Sequence, residues 1–142
     1  MKTAIVTGGS GGIGEAVCRR LAADGYRVIV NYAHSKDKAE KLAAQIGGEA
    51  VGFSVTDCRA VNSAIENIGF ADLLVNNAGI SEIDLFTHIS QENARNIMET
   101  NLIGAMNCAR AVLPPMINRK SGCIINISSM WGQVGASCEV DY

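Results

Sequence analysis

The decisive stretch of the chain is Thr7-Gly8-Gly9-Ser10-Gly11-Gly12-Ile13-Gly14. Lys2–Thr7, rich in apolar and β-branched residues, reads as a strand. Ile13–Asp24 behind it reads as a helix, with Ile13, Val17 and Leu21 on one face and Glu15, Arg19 and Arg20 elsewhere. A glycine-rich turn between strand and helix has a physical use. Without Cβ atoms the backbone turns tightly and comes close to a ligand. The helix N-terminus then offers free N–H groups and the positive end of its dipole to a phosphate. Such a pattern alone also occurs in plain structural turns, so the elements around it must decide.

Working outward, strands and helices alternate. Gly25 stands where a helix-ending glycine belongs, and Tyr26–Asn31 is the second strand. Ser35 precedes a helix Lys36–Ile46 as its N-cap. Ala50–Val55 is a third strand, and Asp57 caps a short helix reaching Ile68. Asp72–Asn76 is a fourth strand, Ser90 caps a long helix over Gln91–Asn118, and Gly122–Ser128 is a fifth strand. Pro114-Pro115 predicts a kink or break in the long helix, because each proline removes a hydrogen bond and crowds the preceding turn. Apolar strand runs alternating with amphipathic helices imply a parallel sheet covered on both faces. With right-handed crossovers this is an α/β, Rossmann-type doubly wound fold of strand order 3-2-1-4-5, a single domain over residues 1–142.

Composition fits that picture. Of 142 residues, 48% are hydrophobic and 18% charged, and the net charge of −2 gives no reason to expect nucleic acid or an anionic membrane as partner. No apolar run approaches the roughly 20 residues a membrane helix needs, and no secretory leader is visible at Met1. The 5 cysteines are scattered and odd in number, without a Cys-x-x-Cys pair. Reduced thiols in a cytoplasmic protein are the expectation. His34 and His88 are isolated, so no metal site is expected.

The spacing Thr7, Gly8, Gly12, Gly14 resembles the fingerprint of the short-chain dehydrogenase/reductase family, and Asn76-Asn77-Ala78-Gly79 after the fourth strand resembles a second motif of that family. The resemblance runs through all 142 residues. It implies a nicotinamide dinucleotide held by Thr7, Gly8, Ser10, Gly12, Ile13 and Gly14. Asn77, Ala78 and Gly79 would line its ribose side, with Ser54 and Val55 near adenine and Ile80 and Ser81 near the nicotinamide. The catalytic groups carry over onto Asn101, Ser129 and Tyr142. Ser129, with Ser128 as competitor, would bind the substrate carbonyl oxygen. Tyr142 would be the proton donor, and Asn101 would hold a water of the proton relay. Within the family the chain is most similar to bacterial 3-oxoacyl-[acyl-carrier-protein] reductases and to reductases of an aminopentanone modification on elongation factor P.

Two further expectations concern specificity and completeness. NAD-binding folds commonly place an acid about 20 residues past the glycine loop. Here the second strand ends Val30-Asn31-Tyr32-Ala33-His34-Ser35-Lys36, with no acid before Asp37. Asn31, Ser35 and Lys36 are potential donors to a 2′-phosphate, which favours NADP(H) over NAD(H). The substrate would be a small or carrier-bound carbonyl compound. The resemblance also implies a longer parent, a homodimer or homotetramer, with a lysine one helical turn beyond Tyr142 to lower the phenol's usual pKa near 10. Without that lysine the chain is expected to be poorly active, a dinucleotide-binding fragment at the limit. The fifth strand is expected to leave a bare apolar edge at Ile124–Ile127.

Overall fold

The computed structural model describes residues 1–142. A five-stranded parallel sheet in the order β3-β2-β1-β4-β5 forms its centre. In chain order the elements are β1 (Thr3–Val6), α1 (Gly12–Ala23), β2 (Arg27–Tyr32), α2 (Lys36–Ile46), β3 (Glu49–Gly52), α3 (Cys58–Ile68) and β4 (Leu73–Asn76). They continue with α4 (Gln91–Met98), a π-helical stretch (Glu99–Gly104), α5 (Ala105–Arg119), β5 (Cys123–Asn126) and the short α6 (Trp131–Val134). The expected architecture and strand order are thus present, with strand ends displaced by no more than three residues in either direction.

The two faces of the sheet explain why the strands are apolar throughout. Successive side chains of a strand point to opposite faces. Ile5, Ile29 and Leu74 therefore pack with Val61 and Ile65 of α3 and Val112 and Met116 of α5. Their neighbours Ala4, Val6, Val28, Val30, Leu73 and Val75 pack with Cys18 of α1 and Ala39, Leu42 and Ala43 of α2. In-register pairing of Ile5 with both Ile29 and Leu74 stacks large side chains in one layer. At roughly 1.5–3 kcal/mol for each fully buried aliphatic side chain, these two layers supply the main driving force for folding.

Caps follow the sequence in part. The Asp57 carboxylate accepts from the N–H groups of Arg59 and Ala60, and Ser90 Oγ accepts from Asn93 N–H. Ser35 sits at the N-cap position of α2 but makes no capping bond, which leaves its hydroxyl free. Gly25, at φ +84°, and Gly47, at φ +66°, end α1 and α2 in the left-handed conformation that glycine adopts without strain.

The long helix breaks elsewhere than the prolines suggest. Helical geometry continues through Pro114 and Pro115 to Arg119. The departure lies upstream, at the π-helical stretch Glu99–Gly104. Two tertiary ties fall within it: Asn101 is tied by its side chain to another segment, and Gly104 is buried against Val55, where a Cβ would collide with the valine side chain. The apolar face assigned to α1 is present in part. Val17 and Leu21 pack against the core beside Cys18 as expected, and Gly14 is buried with them, whereas Ile13 is 64% exposed.

β5 pairs with β4 alone and forms one edge of the sheet, with Ile125 and Ile127 each more than 40% exposed. Of the stretch Ile124–Ile127, Ile124 packs against the core. No helix is long and apolar enough to cross a membrane.

All five cysteines are free thiols. Burial pushes Cys18 up to about 12, helped by the nearby Glu15 carboxylate, and burial pushes Cys108 up to about 12. Titration with a thiol-specific chromogenic reagent at mildly alkaline pH should therefore modify the exposed Cys58 and Cys123 quickly. Cys18 and Cys108 should react only on unfolding. The folded chain keeps these two protons to higher pH than the unfolded chain, so this pair should erode stability as pH rises from about 9 towards 12.

Candidate active site

The loops that leave the C-terminal ends of the strands build one continuous depression, the position where open α/β sheets hold ligands. Its larger part, about 770 Å³, lies over β1, β2 and β3. Gly8, Ser10, Asn31, Ser35, Ser54, Val55, Ala78 and Gly79 line it, all anticipated from the sequence. Its smaller part, about 430 Å³, lies over β4 and β5. There Ile13, Asn77, Asn101, Ser128, Ser129 and Tyr142 come together, although Asn101 and Tyr142 are far apart in the chain. Ala78, Gly79 and Ile80 line both parts and form the saddle between them.

A polar knot beneath the saddle holds the loops in place. Thr7 is 1% exposed, and its hydroxyl oxygen accepts from the N–H groups of Asn77 and Ala78, each at 3.0 Å. Asn77 Nδ2 returns two bonds, to the carbonyls of Thr7 (3.0 Å) and Gly8 (3.1 Å). Gly8 N–H donates to Asn31 Oδ1 at 3.1 Å, and Gly9 N–H donates to the Asn31 carbonyl at 2.9 Å. Thr7 thus fastens the site from below, and it lines neither part of the depression.

Asn31 has a similar place. It is 2% exposed, and its Nδ2 points to backbone carbonyls, the nearest being Phe53 at 3.0 Å. Both ends of the amide are used in joining the glycine loop to the β2 and β3 ends, whereas the Ser35 hydroxyl on the same wall is unengaged. Lys36 lies outside the walls, with Nζ 3.7 Å from Glu40 Oε1.

The glycine loop fits a pyrophosphate. Gly8 (φ +61°) and Gly12 (φ +54°) take left-handed backbone conformations. No backbone N–H from Ser10 to Gly14 finds an acceptor among the loop and turn bonds. The first N–H groups of a helix have no partner within it, so those of Gly12, Ile13 and Gly14 are available to an anion. Gly14 also has no room for a side chain. A Cβ there would run into the Gly8 carbonyl oxygen and approach Asn77 Nδ2 to 2.7 Å.

In the smaller part, Asn101 Oδ1 accepts from Ile80 N–H and Asn101 Nδ2 donates to the Ile80 carbonyl, both at 2.8 Å. The π-helical stretch delivers this side chain, in keeping with the concentration of such stretches at functional sites. Ser129 Oγ accepts from Trp131 N–H at 3.2 Å, which still leaves its proton to donate. Of the segment Met130–Glu139, Gly132 reaches the depression. The sequence reading missed Asn96, Glu99 and Thr100, which close the larger part from the α4 side. Their spacing at i, i+3 and i+4 marks one polar helix face and was the available signal.

With this geometry in hand, the class is defined: the chain belongs to the short chain dehydrogenase family, whose model matches residues 2–142. It is 39% identical to the 3-oxoacyl-[acyl-carrier-protein] reductase FabG of Staphylococcus aureus (strain N315), over 99% of this chain and 61% of that protein. It is 37% identical to an acetoacetyl-CoA reductase of Rhizobium meliloti (strain 1021), over 99% of this chain and 60% of that one. Among solved structures, a gluconate 5-dehydrogenase from Burkholderia cenocepacia J2315 in complex with NADP and tartrate superposes with a TM-score of 0.92 at 31% identity. That match covers 99% of this chain and 58% of the other. The chain therefore spans about three fifths of the length of these relatives.

Because the space at Gly14 is already filled, Gly14→Ala should displace the loop. Calorimetry should find a lower Tm, equivalent to about 1–3 kcal/mol for an overpacked site, together with loss of dinucleotide binding. Unchanged affinity would show that the loop does not hold the phosphates.

Proposed function

We propose that this chain carries the dinucleotide-binding half and the proton-donating groups of an NADP(H)-dependent carbonyl reductase. The observation that carries the reading is the meeting of Ser129, Tyr142 and Asn101 in a cleft joined, at Ala78–Ile80, to the cleft over the glycine loop. Its substrate would be a 3-oxoacyl thioester, on an acyl carrier or on coenzyme A, the class named in the two curated relatives.

The residues present fit the cofactor. Free N–H groups at Gly12, Ile13 and Gly14 suit its pyrophosphate, and Ser54 and Val55 border the space for adenine. The wall built from the end of β2 bears no carboxylate to repel a 2′-phosphate. A structural relative in complex with NADP agrees with this choice. Bound here, the reduced nicotinamide supplies hydride.

The chain's own groups manage the oxygen and its proton. Ser129 Oγ, with its free proton, donates to the substrate carbonyl oxygen and orients it. The Tyr142 hydroxyl delivers the proton that this oxygen requires as it becomes an alcohol. Asn101 holds Ile80 and so fixes the floor on which the reacting groups converge. Ile13 supplies apolar surface at the mouth.

The test is oxidation of NADPH by an acetoacetyl thioester, followed by loss of reduced-nicotinamide absorbance. Tyr142→Phe should lower the rate about 100-fold or more, and Ser129→Ala should lower it comparably. Neither should change affinity for the dinucleotide. A Tyr142→Phe variant as fast as the parent chain would refute the assignment.

A further inference from the structure

We propose that Lys38, backed by Lys41, is the cation that selects a 2′-phosphorylated dinucleotide; this rests on the NADP(H) reading above and names the residues responsible for it. A second, smaller cleft of about 250 Å³ lies between α1 and α2. Ser10, Arg19, Lys38 and Lys41 are among its walls, and Ser10 is also a wall of the large cleft, so the two meet at that residue.

The charges around this junction are not equivalent. Arg19 lies 2.8 Å from Glu15 Oε1 and donates a further bond to Gln45 Oε1 at 2.7 Å, so its charge is matched and its position held. Lys36, the obvious candidate in the sequence, leans on Glu40 and lines neither cleft. Lys38 and Lys41 face the small cleft and take part in none of the chain's ion pairs. The excess positive charge beside the cofactor cleft is therefore theirs.

The loop leaves room for an anion to reach them. A Cβ built on Gly11 or Gly12 would meet nothing within 4 Å, so the crest of the loop is open space. With Gly11 in the loop, no basic side chain stands on the crest. A phosphate lying over Ser10 would find the Ser10 hydroxyl on one side and the two ammonium groups beyond it. Lysine suits this task, since its ammonium is a point charge on a flexible stem that needs no fixed bidentate geometry. Asn31 cannot replace it, with both ends of its amide already bonded to backbone.

Titration calorimetry with adenosine 2′,5′-bisphosphate and with adenosine 5′-monophosphate isolates the contribution of the extra phosphate. The parent chain should bind the bisphosphate more tightly. Lys38→Ala should weaken bisphosphate binding roughly tenfold, the size of one charge-assisted bond, and Lys38→Ala/Lys41→Ala should weaken it further. Monophosphate affinity should stay unchanged in both. Lys38→Arg should keep the preference, and Lys36→Ala should leave both affinities as they were. A double variant that retains the parent's preference would overturn the assignment to these lysines while leaving the NADP(H) reading intact. A parent chain that binds both ligands equally would overturn the NADP(H) reading itself.

Discussion

The hydroxyl of Thr7 is the point on which the site depends. Three parallel strands end side by side, and their following loops must be held at fixed heights although no strand partner remains to pair with them. Thr7 solves this with one oxygen that accepts the N–H groups of Asn77 and Ala78. Asn77 and Asn31 extend the same scheme to the glycine loop. Side chains thus complete the hydrogen bonding that the sheet leaves unfinished, as buried backbone groups require. The outward surface of the loop keeps its own N–H groups free, so rigidity below and availability above come from the same arrangement.

The sheet and its order were legible in the sequence because the strands, buried on both faces, are written as nearly unbroken apolar runs such as Val28-Ile29-Val30 and Leu73-Leu74-Val75. The glycine loop was legible because few residue types tolerate its backbone. Residue roles at strand ends were harder to read. Asn31 and Ser35 look alike as polar residues beside a cofactor cleft, yet Asn31 faces the protein and Ser35 faces outward. Which way a polar side chain turns depends on the carbonyls that the neighbouring strand offers, and those lie some 20 residues away in the chain. Likewise, Pro114 and Pro115 signal a distortion that the helix absorbs, while the π-helical stretch carries no proline and coincides with tertiary ties at Asn101 and Gly104.

The catalytic candidates were read through family spacing, and the fold gives that spacing its physical meaning. β5 lies beside β4, so Ser128 and Ser129 emerge next to Asn77–Ile80. The chain then turns through α6 and brings Tyr142 back to the same cleft. A distance in sequence becomes a convergence in space because the intervening residues form a loop anchored on the serine itself, with Ser129 Oγ accepting the first N–H of α6.

The tie between Asn101 and Ile80 has a consequence of its own. Its two equal bonds imitate the exchange between facing residues of an antiparallel ladder, with a side-chain amide standing in for a peptide group. Such mimicry leaves no near synonym. Aspartate, ionised, has no donor for the Ile80 carbonyl, glutamine reaches one methylene too far, and serine cannot span both atoms at once. The shape of the cleft floor is therefore spelled by a single letter of the sequence, although it looks like ordinary main-chain structure.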